Sequence, residues 1–266
     1  SKVDLDATFM NMKYDYYNRT GVFKPGYNVQ IGVSDHYILH VGVFQNPNDT
    51  KTFIPFLKGF NKAYGKYPVY PVGDAGYGSY DNYSFCLENN MKLAMKDNYY
   101  NKRNNSKKFK KEIYHYANLE KLEDGTRICA MGHPFDIYLR TEYSKKTVYP
   151  KKDYVFECSE CFDCTKKSEC TKSKGNKTSR YNPKMDNMLN RVDELLNSKF
   201  GEQLRKNRCA QVEGAFGVLK QNYYYDRVRR RGIKKVKTEI ILTCIGYNIK
   251  KYINKNCKKT NLEEIL

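Results

Sequence analysis

The stretch GYNVQIGVSDHYILHVGVF, residues 26–44, decides the fold. Val29, Ile31 and Val33 alternate with polar or small residues, the period of a half-buried strand. Ser34-Asp35-His36 is a short polar turn and Tyr37–Phe44 resumes extended character, so the run reads as a hairpin entered through the stiff turn Lys24-Pro25-Gly26. Working outward, Asn46-Pro47-Asn48-Asp49 ends the hairpin. Thr50 or Thr52 is placed to cap a helix to about Tyr64, with Pro55 in its first turn. Val69–Val72 reads as a short strand, Ser79 caps a helix to about Glu88, and Met91–Lys96 is another short strand. Strands alternating with helices after a hairpin predict an α/β domain with a mixed sheet.

Four stretches follow from composition and period. Residues 1–26 are a polar lead-in without a convincing period, Asn11–Thr20 included, and 27–98 hold the first part of the α/β domain. Residues 99–185 are Lys-rich and Cys-rich with weak period, and read as an insertion. Residues 186–266 close the domain with helices. Leu189, Val192, Leu195 and Leu196 share one helical face. A helix over about Glu202–Gln221 turns Leu204, Val212, Ala215, Phe216 and Leu219 to the core, and a last one covers about Lys237–Ile253.

The chain has 266 residues, with 48 Lys and Arg against 29 Asp and Glu, a formal net charge of +19. A mean hydropathy of −0.81 excludes an integral membrane protein. The longest apolar stretch, Ile240–Ile249, is about half of the ~20 residues that cross a bilayer. No apolar leader follows Ser1, so a cytoplasmic protein is expected. The charge favours a polyanionic partner such as nucleic acid; Lys-rich drift in an AT-rich genome would give the same balance. Nine Cys, four of them within 13 positions, suit a metal site better than disulfides.

Two carboxylates stand in chemically suggestive places. Asp74 lies in GDAGYGS, at the end of a short strand and the opening of a helix, where open α/β sheets present ligands; taken alone, a helix-initiating turn is its plainer reading. Glu213, in QVEGAFGVLK, stands one step from the apolar stripe and so borders the core, with Lys220 two helical turns on. Gly214 and Gly217 are poor helix residues and suggest close packing; a surface Glu–Lys pair is the plainer reading.

The runs GYNVQIGVSDHYIL…FQNPNDTKTFIPFL, GDAGYGSYDNYSFCLENN and RCAQVEGAFGVLK together resemble the catalytic domain of bacterial insertion-sequence transposases of the DDE type, in the right order across nearly the whole chain. The resemblance implies a ribonuclease-H-like fold interrupted by a Cys-rich insertion, and metal-dependent cleavage and transfer of DNA strands. It makes Asp74 the second catalytic Asp and Glu213 the catalytic Glu, both holding Mg²⁺ or Mn²⁺ through hard oxygens. Arg208 and Lys220 match basic positions flanking that Glu, although Arg208 to Glu213 is one residue longer than in many relatives. The implied partners are the element ends and target DNA, bound by a homodimer in the cytoplasm at the bacterial nucleoid. The first Asp of the triad is expected upstream of Ser1, on a fragment truncated at its amino end, so that this chain alone, with two of three carboxylates, is expected to give no strand transfer; Asp6, in DLDAT, is the candidate within the chain. Pro71 is awkward in the strand leading to Asp74.

The cluster Cys158-x2-Cys161-x2-Cys164-x5-Cys170 predicts a Cys₄ zinc site, with an iron–sulfur cluster as rival. Cys129 and His133 are read as unliganded, and Cys86, Cys209 and Cys244 as core. Two basic runs are candidate DNA tracks: Lys102, Arg103, Lys107, Lys108, Lys110 and Lys111, for which a disordered solvated loop is the plainer reading, and Arg227, Arg229, Arg230, Arg231, Lys234 and Lys235. Tyr99, Tyr100 and Tyr223–Tyr225 are placed to stack on exposed bases; His36 and His40 need only packing roles. A zinc-stabilised basic DNA-binding protein without catalysis, and a ribonuclease-H-like nuclease, are the alternative functions.

Overall fold

Two side chains that tolerate positive φ, Asp35 at 48° and His36 at 66°, close a two-residue turn and make the hairpin a tight one. In the computed structural model, which describes residues 2–11, 23–225 and 227–263 (the side chains of 258–263 excepted), the elements follow in order. Strands β1 (Thr8–Asn11), β2 (Phe23–Gly26), β3 (Asn28–Ser34) and β4 (Tyr37–Phe44) precede helices α1 (Asp49–Tyr64) and α2 (Tyr80–Glu88). Short helices α3 (Tyr100–Asn105) and α4 (Lys107–Lys110) lead to β5 (Ile137–Tyr143), β6 (Lys152–Glu157), α5 (Lys167–Cys170) and β7 (Thr178–Tyr181). Helices α6 (Pro183–Asn197), α7 (Lys199–Arg208), α8 (Gly214–Gly217) and α9 (Ile233–Glu263) complete the chain.

These elements form two compact units, Ser1–Pro68 with Lys199–Leu266, and Val69–Ser198. The boundaries between the units fall at 68/69 and 198/199.

In the first unit the β3–β4 hairpin is covered on both faces. Gly32 pairs with His40 and Val33 with Ile38, leaving Leu39 as a bulge that shifts the alternation by one. Ile38 therefore joins Val41 and Val43 on one face. They pack with Ala215, Leu219, Val236, Ile240, Cys244 and Tyr247. Asn248 of α9 clamps the hairpin by donating to the Ile38 carbonyl (2.8 Å) and accepting its N–H (2.9 Å). On the other face Phe56 lies over Gly32 and Gly42, and His40 meets Phe56 edge-on. Burial, with Lys237 nearby, lowers the His40 pKa.

Asn48, rather than either threonine, caps α1 through the Thr50 N–H, so Pro55 is the helix's seventh residue and leaves one carbonyl without a helical donor. Within the polar lead-in β1 and β2 pair antiparallel, from Thr8 with Gly26 to Asn11 with Phe23. The rest of the polar run read over Asn11–Thr20 lies outside the described residues. Helix α9 is longer at both ends than the apolar stretch predicts, because polar turns extend it.

In the second unit Ser79 caps α2 as expected, by accepting from the Asn82 N–H. The two flanking strands are reduced to one parallel bridge, Gly73 with Met95. Lys92 N–H reaches the Val69 carbonyl (2.9 Å) and Gly73 N–H the Ala94 carbonyl (3.3 Å). Between them Pro71 has no N–H to give, and the Ala94 N–H folds back to the Lys92 carbonyl (3.0 Å). The ladder stops there. The remaining strands lie in antiparallel sheets, β5-β6-β7 among them, so the α/β composition holds while a continuous mixed sheet does not form among the described residues.

The region read as a weakly periodic insertion is thus ordered, with that sheet and the helices α3 and α4. Arg103 is no solvated loop residue: its guanidinium takes both Asp97 oxygens (3.1 and 2.7 Å). Tyr99 stacks on Phe109, and buried Tyr100 donates to Asn197 of α6 (2.6 Å), which withdraws both rings from base stacking. On α6 itself Met188, Val192 and Leu196 are buried, with Leu189 and Leu195 at the margin.

Candidate nucleic-acid interface and carboxylates

Asp74 sits in the turn after the Gly73 bridge. One carboxylate oxygen accepts the Gly76 N–H (2.8 Å), while the Asp74 carbonyl accepts the Tyr77 N–H (3.3 Å), so the residue shapes its own turn. Gly78 is required beyond it, because a Cβ there would stand 2.1 Å from the Lys96 carbonyl oxygen. The Asp74 side chain remains exposed, with no described partner on its second oxygen.

Glu213 belongs to the other unit and is carried by a helical run from Lys199 to Asn222 with two π turns, Cys209–Glu213 and Val218–Asn222, around α8. Residues five apart on an α-helix point about 140° away from each other. A π turn holds one residue more and brings them round. Arg208 and Glu213 consequently meet at 3.6 Å.

Three expectations for this helix are corrected. Glu213 does not border the core: its side chain is 69% exposed, because the buried face is set by Ala215 and Leu219. Gly214 and Gly217 do not serve close packing, since a Cβ at either would meet nothing within 4 Å. Glu213 pairs with Arg208, and Lys220 lies 5.6 Å over the Phe216 ring instead. The outcome is an open strip carrying a carboxylate, two cations and two glycines, accessible to a bulky polyanion.

The basic run after this helix is held by its backbone and presents its side chains. Glu239 accepts the N–H groups of Arg229 (3.1 Å) and Arg230 (2.9 Å), while Arg227, Arg229, Arg230 and Arg231 are exposed. Arg229, Arg230 and Lys235 line a cleft of about 570 Å³ with Tyr223 and Tyr225. Of the tyrosines proposed for stacking, Tyr224 stands out most, at 79% exposure.

Asp6 is committed elsewhere. Its carboxylate accepts the N–H of Ile233, the first residue of α9 (2.9 Å), beside Asp4, which accepts from Gly232 (3.2 Å) and the Tyr27 hydroxyl (2.8 Å). Both carboxylates satisfy donors at a helix N-terminus.

The cysteines regroup. Cys86 and Cys244 are buried as predicted, and burial raises their thiol pKa values to about 12 and about 11. Cys209 is exposed, and Arg208 donates to its sulfur (3.3 Å). Cys129, read as unliganded, packs against a core of Leu119, Phe135, Cys158 and Cys161. Burial pushes the Cys158 thiol up to about 12, helped by the neighbouring thiols of Cys129 and Cys161. Spacing could not have found Cys129, which is far from Cys158 in sequence. No three His, Cys, Asp or Glu side chains among the described residues stand ready to hold a metal ion. Nor is any described helix long and apolar enough to cross a membrane.

Comparison with known proteins gives one family: residues 128–253 match the model described as transposase DDE domain. The match includes Arg208, Glu213, Lys220 and the 227–231 run, and leaves Asp74 outside. No curated protein and no solved structure matches the chain.

Proposed function

We propose that this chain, whose residues 128–253 match the transposase DDE domain, is a DDE transposase that cleaves and transfers DNA strands in transposition, with Asp74 and Glu213 as catalytic carboxylates on a ribonuclease-H-like catalytic domain. The family match carries the reading. The open strip around Glu213 supports it, because a carboxylate that works on DNA has to be reachable by DNA.

Oxygen donors of this kind fit Mg²⁺ or Mn²⁺. When bound, such ions activate the attacking oxygen and stabilise the leaving one. The chain's own residues do the rest. Arg208 orients the Glu213 carboxylate, Lys220 holds a phosphate beside it, and the arginines of 227–231 neutralise the backbone on either side. In the first reaction water attacks a phosphodiester, a new P–O bond forms, and the 3′-oxygen leaves and takes up a proton. In the second the freed 3′-hydroxyl attacks a target phosphodiester, which releases the target's own 3′-oxygen.

The test expresses the complete reading frame that contains these residues and incubates its product with a supercoiled plasmid that carries the flanking DNA. Mg²⁺-dependent nicking, followed by covalent joining to target DNA, is expected, and Asp74→Asn and Glu213→Gln each abolish both. Nicking without joining would assign a nuclease, and binding without nicking a DNA-binding protein that lacks catalysis.

A further inference from the structure

Two turns bring cysteines from distant parts of the second unit to one place. The first is the narrow loop closed by the Ile128–Pro134 bridge, in which Cys129 N–H bonds the His133 carbonyl (2.7 Å) and Gly132, at φ +88°, reverses the chain. Its geometry turns backbone donors on sulfur: Cys129 Sγ accepts the N–H of Met131 (3.3 Å) and of His133 (3.4 Å). The second turn follows β6, where the Cys161 N–H reaches the Cys158 carbonyl (3.3 Å) and Cys161 Sγ accepts the Lys177 N–H (3.3 Å). The Lys177 ammonium then reaches Cys170 Sγ (3.0 Å). Cys129, Cys158, Cys161, Cys164 and Cys170 line a single cavity of about 20 Å³, with Lys167 and Lys177 also in its wall. That volume holds about one water-sized body.

A cluster of free thiols, buried at Cys158 and Cys161 and half-buried at Cys129, Cys164 and Cys170, with donors aimed at its sulfurs, is a poor hydrophobic core. N–H groups and an ammonium favour sulfur that carries negative charge, and thiolates gathered in a small cavity require a cation among them. We propose that Cys129, Cys158, Cys161 and Cys170 bind one zinc ion, which ties the Cys129 loop to the end of β6 and fixes the fold of this unit. Cys129, Cys161 and Cys170 are chosen because each sulfur accepts a described donor, and Cys158 because it is buried in the cluster against which Cys129 packs. Cys164, which sequence spacing put in the set, has no described donor on its sulfur and stays outside. Four thiolates and Zn²⁺ leave a net charge of −2, and Lys167 and Lys177 stand where they offset it. The sulfurs are not at the ~2.3 Å ligation distance around a common point, so binding draws the two turns together, as expected where metal binding and folding are coupled.

The test uses the intact protein, purified under reducing conditions, stripped of metal and titrated with Co²⁺. The expected result is one ion per chain, with sulfur-to-cobalt charge-transfer absorption, a tetrahedral visible band, and displacement by Zn²⁺. Cys129→Ser and Cys170→Ser should each lose or shift these bands, and Cys164→Ser should keep them. Because a ligand variant can fail to fold, alkylation of the unmutated protein with and without Zn²⁺ gives a second reading. Zinc should protect Cys129, Cys158, Cys161 and Cys170 while Cys164 and Cys209 react. Absence of the charge-transfer band, protection of Cys164 in place of Cys129, or assembly of an iron–sulfur chromophore instead would each overturn the assignment.

Discussion

Replacing Asp6 separates a structural carboxylate from a catalytic one. Its oxygen accepts the Ile233 N–H at 2.9 Å, at the start of a 31-residue helix whose first N–H groups have no helical partner. Removing a capping acceptor costs about 0.5–2 kcal/mol, and losing a negative charge at a helix N-terminus about 0.3–1 kcal/mol more. Asp6→Ala should therefore destabilise the first unit by about 1–3 kcal/mol. With a urea dependence of roughly 2 kcal/mol per molar, the midpoint falls by about 0.5–1.5 M. Asp6→Asn keeps the acceptor, so it should recover most of that loss. Urea unfolding followed by circular dichroism measures the stability, and plasmid nicking under native conditions measures the chemistry. If Asp6 only caps α9, both variants nick within about threefold of the unmutated protein. A loss of a hundredfold or more in Asp6→Asn, at an unchanged urea midpoint, would refute the reasoning and make Asp6 a metal-holding carboxylate (about 2.7 kcal/mol of barrier).

The same brace gives a pH signature. Burial, and hydrogen bonding to the Asp4 carboxylate, raise the Tyr27 phenol to about 12 from an ordinary 10.0. Its contribution is present below pH 10 and fades towards pH 12 as only the unfolded phenol ionises; Tyr27→Phe should flatten that arm of a stability–pH curve. Although desolvation raises the Asp4 pKa, its hydrogen bonds from Tyr27 and Gly232 outweigh this and leave the carboxyl below its usual range. Stability from Asp4 should hold above the ordinary carboxylate range and decline as pH falls through the lower folded value. Met188 is fully buried on α6, and Met188→Ala should cost about 2–5 kcal/mol in denaturant unfolding. Glu213→Gln should change stability by less than about 0.5 kcal/mol, because the side chain is mostly in water. Arg229→Ala and Arg230→Ala should each weaken DNA binding and reduce the slope of log K against log salt by about 0.9, as read by a filter-binding titration.

What the sequence determined by itself was local. The alternation of Val29, Ile31 and Val33 around a polar turn specifies the hairpin, and Ser79 specifies the start of α2, because period and capping act between neighbours. The order of its motifs also carried the resemblance to DDE transposases, which the family match over residues 128–253 supports. Tertiary structure decided whatever depended on distant partners. Pro71 stops a parallel ladder only because the segment beside it is Lys92–Met95. The exposure of the Glu213 carboxylate follows from which face of the helix Ala215 and Leu219 bury against the hairpin. Asp6 became a cap because the chain returns to it more than two hundred residues later. Cys129 came to Cys158 and Cys161 through the packing of Leu119 and Phe135, a contact that no spacing of cysteines encodes.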